Sequence, residues 1–192
     1  KQIDILKHLT HLKPPIGVGD LWLERFSPYF TRPEEYGVKI KGPGEAYTFV
    51  YDDNQLDLMK IAYDFEFETP ASIDPTLAQE LRDVVANWTS RHESDQIPFL
   101  FFTKSPNFVN VYDGRPSDQP IKKRFEGASA LIISFCNESP KSLEQIREFI
   151  QSKNQELENI QPLELVLQDL VQQGIIFGEK GKYLTLAIPH NS

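Results

Sequence analysis

Cysteine is almost absent from this chain of 192 residues, which contains only Cys136. A single thiol excludes an internal disulfide framework and any cysteine-rich zinc or iron–sulfur site built by this chain alone. Long apolar runs are also missing, since no stretch approaches the ~20 apolar residues that a membrane-spanning helix needs. Basic residues are fewer than acidic ones, 20 against 28, and the net charge of −8 argues against binding nucleic acid through its phosphates.

Methionine is scarce as well. Met59 is the only one, and the chain begins at Lys1 without a secretory signal. We therefore expect an excised part of a longer protein that works in the cytoplasm. Hydrophobic residues make up 40% of the chain and aromatic ones 11%, which is enough apolar material for a folded core.

The acidic charge is distributed unevenly. Residues 1–96 carry a net charge of −7 and residues 97–192 a net charge of −1. The polar segment at 90–96 is typical of a connector. We therefore expect an α+β protein with a small mixed α/β accessory region at 1–96 and a second domain at 97–192.

Local patterns predict both helices and strands in the first region. β-Branched and aromatic residues at 46–51 favour a strand. Asn54 is placed to cap a helix that reaches about residue 62. Strict alternation of apolar and acidic residues at 63–68 predicts a half-buried strand, and apolar residues at helical spacing predict an amphipathic helix at 75–90.

The second region is predicted to contain two strands, three helices and a closing hairpin. Ser142 and Gln145 fit a capping box at the start of the middle helix, and Gly174 is placed to end the last helix. Three helices followed by a hairpin is the order of a winged helix. The predicted segments are strands at 99–103 and 108–113, helices at 127–137, from 142 and at 162–174, and a hairpin of 175–177 with 183–188.

Several short strings occur in an order and spacing that point to a family. The most specific is Arg-Phe-Ser-Pro-Tyr-Phe at 25–30, followed by Arg-Pro-Glu-Glu-Tyr-Gly at 32–37. With them the chain resembles the C-terminal region of radical SAM maturases of ribosomal peptides, a bacteriocin-maturation group similar to C-methyltransferases. Further matching strings are His-Leu-Lys-Pro-Pro at 11–15, the aromatic strand segment at 46–51, Ile-Ala-Tyr at 61–63 and Tyr-Leu-Thr-Leu-Ala at 183–187.

The resemblance implies a parent enzyme with a [4Fe–4S] cluster and S-adenosylmethionine, and it leaves open whether the parent uses cobalamin. A cluster needs three thiolates and this chain has only Cys136, so the cluster chemistry must lie outside it. We therefore expect no catalytic residue, metal or cofactor in the chain itself. The resemblance also implies that Arg25, Tyr29 and Arg32 lie near the substrate, whereas the alternative is that the aromatic residues anchor a loop and Arg25 pairs with a carboxylate.

The second region is similar to the winged-helix modules with which such maturases bind the leader peptide of their precursor as an added strand. On this analogy the free strand edge is 108–112 or 183–186, beside the helix at 162–173. The partners would be the precursor peptide and the radical SAM domain of the same chain, without nucleic acid or membrane. The residues expected to bind peptide are Phe108, Val109, Val111, Leu163 and Leu167.

Two other functions stay open. The chain could be purely structural, capping the barrel or mediating dimerisation, in which case it should expose a large apolar patch. A winged helix could also bind DNA, but the predicted third helix has no Lys or Arg and carries Glu164 and Asp169, which would repel phosphates.

A few side chains could bind a metal ion, but each has a simpler explanation. Asp64, Glu66 and Glu68 line one strand face and could hold a cation, but a solvated face explains them better. His8 and His11 have a chelating spacing without a recognisable third ligand.

The basic cluster of Lys122, Lys123 and Arg124 could meet phosphate or an acidic leader peptide, and we interpret it as a solvated loop. Cys136 lies in an apolar segment, which is typical of a buried, inert thiol.

Overall fold

The computed structural model describes residues 2–51, 56–70, 74–116, 119–153 and 162–190. Within these residues the chain is an α+β protein with three small sheets. Its elements are α1 (Gln2–His8), β1 (Leu23–Glu24), α2 (Pro28–Thr31), a 3-10 turn (Pro33–Tyr36), β2 (Lys39–Pro43), α3 (Glu45–Val50), α4 (Leu58–Ile61), β3 (Asp64–Glu68), α5 (Pro75–His92), β4 (Leu100–Lys104), β5 (Phe108–Asp113), β6 (Ile121–Glu126), α6 (Gly127–Phe135), β7 (Lys141–Ser142), α7 (Leu143–Ser152), α8 (Leu163–Gln172), β8 (Ile176–Glu179), β9 (Lys182–Thr185) and β10 (Ile188–Pro189).

The chain folds into two compact units whose division differs from the predicted boundary at residue 96. The smaller unit is Gly17–Asp83, and the larger unit combines Lys1–Ile16 with Val84–Ser192. The first 16 residues and the end of α5 therefore belong with the second half of the chain. The polar composition of 90–96 indicates exposure, but it does not mark a boundary between units.

The N-terminal segment is held in the larger unit by side chains from distant parts of the sequence. Three alternate backbone carbonyls of this segment each accept a hydrogen bond from a buried or half-buried ring or guanidinium N–H. Hydrogen bonds between residues so distant in sequence leave no local sequence pattern. Composition alone therefore does not show that the N-terminal segment belongs to the larger unit. The bonds are Arg115 Nη1 to His8 O (2.9 Å), His92 Nε2 to Thr10 O (2.8 Å) and Trp88 Nε1 to Leu12 O (2.9 Å).

The smaller unit is built on a three-stranded antiparallel sheet in the order β1-β3-β2. Its core consists of Leu23, Val38, Ala62 and Phe65, all of them buried. The alternation at 63–68 therefore produces the predicted strand, with Phe65 on the buried face. The predicted helix reaching residue 62 is present as α4, and Asn54 lies outside the described residues.

Residues 46–51 do not form the predicted strand. Residues 46–50 belong to α3, Tyr51 is its C-cap, and the N–H of Gly44 before the helix donates to the Asp64 carbonyl at 2.9 Å. The Tyr47 hydroxyl accepts from the N–H of Tyr63 at 2.9 Å. These contacts with the start of β3 fix the segment as a short helix and outweigh its weak local preference for a strand.

The larger unit contains a four-stranded sheet in the order β10-β4-β5-β6. The last three strands are antiparallel neighbours, and β10 runs parallel to β4. One face of the sheet is buried beneath the helices: Leu100, Phe102, Val109 and Val111 are all at most 4% exposed and belong to one core with α6, α7 and α8.

The predicted order of three helices and a hairpin is present in the larger unit. The short β7 lies between α6 and α7, and the small sheet has the order β7-β9-β8. The capping box of Ser142 and Gln145 is confirmed at the start of α7. Assignment of this arrangement to the winged-helix fold stays a prediction.

The end of α8 is confirmed at Gly174 and gives a stability prediction. Gly174 has φ +65°, and its N–H and that of Ile175 bond back to Val171 and Leu170, as in a Schellman cap. A Cβ at Gly174 would lie 2.6 Å from His8 Nδ1, whereas a Cβ at Gly181 (φ +73°) would meet open space. We expect Gly174→Ala to lower the free energy of unfolding by about 2–4 kcal/mol and Gly181→Ala by about 1 kcal/mol, as measured by urea unfolding. Equal losses would contradict the close approach at the end of α8.

Candidate functional site

The first strand expected to offer a free edge to a peptide, β5, is an inner strand of the sheet. β5 has β4 on one side and β6 on the other, so it has no edge to which a strand can add. Val109 and Val111 are each 1% exposed, and Leu163 and Leu167 are also buried in the core. Phe108 is half-buried beneath the guanidinium of Arg124. These five positions therefore stabilise the unit, and only Phe108 has surface left for a partner.

The second expected edge, at 183–186, is also occupied. Tyr183 pairs with Lys141 of β7 on one side and with Gly178 of β8 on the other. Further along, the N–H of Thr185 donates to Cys136 O at 2.9 Å, and that of Leu186 donates to Ile175 O at 2.8 Å. This segment has few backbone groups left for a peptide.

The open edge of the four-stranded sheet is β6, a strand that the sequence reading interpreted as a loop. Among the described residues β6 has a single neighbouring strand, β5. Its six residues pair with β5 in continuous register from Ile121 opposite Asp113 to Glu126 opposite Phe108. Such an edge presents a row of unpaired N–H and C=O groups to a further strand.

Hydrogen bonds at the two ends of β5 establish which of its residues bond to which neighbour. The N–H of Gly114 donates to Phe99 O at 2.8 Å, and that of Ser105 donates to Phe108 O at 2.9 Å. Together with the register of β4 and β5, these two bonds show that the even-numbered residues of β5 hydrogen-bond to β4. In an antiparallel sheet successive residues bond to opposite sides, so the odd-numbered residues of β5 bond to β6.

The free backbone groups of β6 follow from that assignment. The odd-numbered residues of β5 lie opposite Ile121, Lys123 and Phe125, so these three are bonded within the sheet. Lys122 and Arg124 direct their N–H and C=O groups away from β5. Glu126, at the end of the strand, directs its N–H the same way, whereas its C=O, as the N-cap of α6, accepts the first hydrogen bond of that helix. The edge thus offers three residues whose backbone can bond to an added strand.

The side chains of β6 alternate between two faces. Lys122 and Arg124 lie opposite Tyr112 and Asn110, on the side of the sheet that we call the outer face. Ile121, Lys123 and Phe125 share the other side with the buried valines of β5, and we call this the helix face. On the helix face the Lys123 ammonium donates to Gln173 Oε1 at 2.9 Å, which joins the middle of β6 to the end of α8.

The basic cluster of the sequence is therefore a strand edge. A signal was present, because Ile121 and Phe125 alternate with Lys122 and Arg124 around Lys123. The three consecutive cations obscure that alternation, because runs of charged residues usually lie in exposed loops. Lys122 and Lys123 form no ion pair with any described residue, while Arg124 pairs with Glu126 at 2.7 Å.

Arg25 in the smaller unit is a structural residue. Its guanidinium donates to Ala62 O and Met59 O, both at 2.6 Å, and so caps the carbonyl end of α4. It also lies 5.3 and 4.9 Å from the ring centres of Phe30 and Phe65. It therefore pairs with carbonyls and rings, whereas the structural alternative expected a carboxylate.

Tyr29 and Arg32 also contact their own neighbourhood. The ring of Tyr29 lies 4.6 Å from that of Tyr36, and Arg32 pairs with Glu35 at 2.9 Å. Phe26, from the same motif, has φ +71° and a side chain that is 77% exposed. The exposed ring of Phe26 is thus the part of the motif most available to another molecule.

Burial favours the neutral forms of two titratable groups in the larger unit. His11 is 9% exposed; a carbonyl only accepts, so its Nε2–H donates to Leu186 O at 2.9 Å. Burial lowers the pKa of His11 below the ordinary 6.5. Burial also raises the pKa of the Cys136 thiol to about 11, in agreement with the expected buried thiol.

Asp113 behaves differently because it is paired. Burial alone would raise its pKa, but hydrogen bonds from the Arg115 guanidinium outweigh this effect and hold the pKa below 3.8. The two oxygens of Asp113 accept from Arg115 Nε and Nη2 at 2.9 and 2.7 Å. The pair is a buried structural contact whose charges are already satisfied.

No cluster of His, Cys, Asp and Glu in the described part of the chain could hold a metal ion. Glu68 pairs with Lys41 at 2.7 Å, and His11 is bonded to a backbone carbonyl. Glu68 and His11 therefore already have bonding partners within the chain.

Comparison with known proteins gives no further assignment. No family model, no curated protein and no solved structure matches the chain. The resemblance to radical SAM maturases stays a prediction that depends on the quoted strings. In the ranges that the structure covers, every helix is too short or too polar to cross a membrane.

Proposed function

We propose that this chain is a non-catalytic recognition region that binds a peptide as an added strand at the edge of β6. The open edge with its outward-directed backbone groups is the single observation that carries the proposal. Backbone hydrogen bonds to such an edge supply affinity, and alternate side chains supply specificity. The resemblance adds that the peptide is the precursor of a ribosomal product and that the parent is a radical SAM enzyme.

β6 is better suited to an added strand than the other edges of the described sheets. β10 has only two residues, one of them Pro189, which lacks a backbone donor. β8 has four residues and includes Gly178, which packs against the ring of Tyr183. β6 has six residues without Pro or Gly, so it presents the longest regular edge.

The charge of α8, the third helix of the predicted winged helix, favours a peptide partner over DNA. α8 has no Lys or Arg, and it carries Glu164 and Asp169. Glu164 is paired with Arg147 at 2.8 Å, and Asp169 would repel a phosphate backbone, whereas the neutral backbone of a peptide strand at β6 meets no such barrier. The bond from Lys123 to Gln173 places that end of α8 beside the middle of the edge.

Lys122 offers a direct test of strand addition. Lys122→Pro removes an outward N–H and leaves the ladder to β5 intact, because proline is tolerated where the missing donor faces solvent. The matched variant Lys122→Ala removes the same charge and keeps the N–H. With the leader peptide of the parent's precursor, we expect Lys122→Pro to bind about tenfold more weakly than Lys122→Ala, which corresponds to about one hydrogen bond.

Binding is measured by fluorescence anisotropy, and thermal unfolding checks that both variants remain folded. Equal affinities for the two variants would show that the backbone of β6 does not bond to the peptide. Loss of binding in both variants to the same degree would point to recognition by charge alone.

A second candidate function is favoured by the surface of the smaller unit. Most of the large apolar side chains exposed by more than a third lie in this unit, and Trp22, Phe26, Phe49 and Val50 are each more than 70% exposed. Exposed apolar side chains concentrated in one part of a chain are typical of surfaces that contact another protein. We propose that the smaller unit docks onto another protein surface, which in the suspected parent is the radical SAM domain of the same chain.

Substitution of exposed aromatic residues tests this docking role. We expect the free chain to self-associate and the variant Trp22→Ser/Phe26→Asn to do so less, with an unfolding free energy within about 0.5 kcal/mol of the wild type. Asn suits Phe26 because it tolerates positive φ. The control is Leu23→Ser, which is buried and should unfold the unit. A wild-type chain that sediments as a monomer at all concentrations and binds no hydrophobic dye would contradict docking.

A further inference from the structure

The edge of β6 is electropositive in an acidic protein. The whole chain has a net charge of −8, yet Lys122, Lys123 and Arg124 follow one another on this strand. Among the described residues, Arg124 alone has a carboxylate partner there, Glu126 at 2.7 Å. The edge therefore retains uncompensated positive charge beside its free backbone groups, which an acidic partner would neutralise.

Aromatic rings restrain two of these cations on the outer face. The Arg124 guanidinium carbon lies 3.7 Å from the ring centre of Phe108, and the Lys122 ammonium lies 5.3 Å from that of Tyr112. Such contacts hold a charged group in place at little cost in conformational entropy on binding. The outer face thus presents two ordered cations, two residues apart along the strand.

The helix face favours apolar side chains of a partner strand over acidic ones. Lys123 is bonded to Gln173, whose own amide donates to Asp169 Oδ2 at 2.7 Å. Ile121 and Phe125 lie on either side of Lys123 on this face. An acidic side chain placed here would meet apolar surface and a nearby carboxylate, so an apolar side chain fits better.

We propose that the strand recognised by β6 is amphipathic, with acidic side chains facing Lys122 and Arg124 and apolar side chains facing Ile121 and Phe125. Residues directly opposite in paired strands share a face, so the alternation of β6 is imposed on its partner. This inference rests on strand addition at β6, and it specifies the chemical class of the peptide. Acid and apolar residues alternate in the recognised segment.

The same arrangement disfavours pairing between two copies of the chain. In the antiparallel register that places Lys123 opposite Lys123, two β6 edges also place Lys122 opposite Arg124, and like charges directly opposite are destabilising. A second copy is a poor occupant of the edge in that register, whereas an acidic strand is attracted to it.

Three synthetic peptides with a fluorescent label test the inference on the intact chain. Each has about eight residues, which spans β6 at ~3.3 Å per residue. The first alternates Leu and Glu, the second has the same composition in two blocks, and the third alternates Leu and Lys. The block peptide is the matched control, because it cannot place all of its acids on one face.

We expect the alternating Leu–Glu peptide to bind about tenfold more tightly than either of the others at low salt, and to lose much of this advantage at ~0.5 M salt. The variant Lys122→Glu/Arg124→Glu should lose the preference for the Leu–Glu peptide. Its control, Lys39→Glu/Lys60→Glu, changes the net charge equally in the smaller unit and should keep the preference.

The outcomes separate the inference from the proposed function. Equal binding of the two alternating peptides, or of the alternating and block peptides, overturns the inference and leaves strand addition standing. Unchanged preference in Lys122→Glu/Arg124→Glu overturns it as well. Failure of all three peptides to bind at ~1 mM, which corresponds to only ~4 kcal/mol, removes strand addition together with the inference.

Discussion

The larger unit depends on the buried guanidinium of Arg115. Its side chain is 9% exposed, and it donates to both oxygens of Asp113 and to the carbonyls of His8 and Gly174. One side chain therefore joins the end of α1, the end of β5 and the end of α8. A buried charge that lost any of these partners would be costly, so the three chain segments are fixed together. Gly174, which ends α8 with a positive φ, also suits this arrangement, because a Cβ there would lie 2.6 Å from His8 Nδ1.

The same framework holds the strand on which β6 depends. Arg115 and Asp113 fix the end of β5, and β6 pairs antiparallel with β5 as the last strand of the sheet. Among the described residues, α6, α7 and α8 share a buried core with one face of that sheet. An edge strand that is long, regular and cationic then remains exposed beside the end of α8, and the proposed recognition of a peptide uses this exposure.

Local patterns predicted those parts of the fold that depend on local interactions. The alternation of Phe65 with its acidic neighbours, the capping box at Ser142 and the helix end at Gly174 all correspond to observed elements. The α+β class is likewise confirmed. Segments governed by distant contacts could not be read in this way: α3 forms where a strand was expected, and the N-terminal residues join the far half of the chain through bonds to Arg115 and Trp88.

The peptide-binding edge expected from the sequence differs from the open edge in the structure for the same reason, because the position of a strand in a sheet depends on distant contacts. Composition predicts that Val109 and Val111 form a strand, but whether that strand is central or at an edge depends on β6. Only the pairing of β6 with β5 shows that the cluster of Lys122 to Arg124 is the exposed edge. The buried positions of Leu163 and Leu167 follow from α8 covering the core, which helical spacing predicts without saying what else could reach them.

Amide hydrogen exchange of the chain, with and without bound peptide, tests strand addition at β6 most directly. The N–H groups of Lys122, Arg124 and Glu126 point away from β5, so they should exchange quickly in the free chain and become protected by at least about tenfold when peptide binds. The N–H groups of Lys123 and Phe125 are already bonded to β5 and should change little. Protection that appears at β8 or β10 and leaves these alternate amides of β6 unchanged would contradict the account.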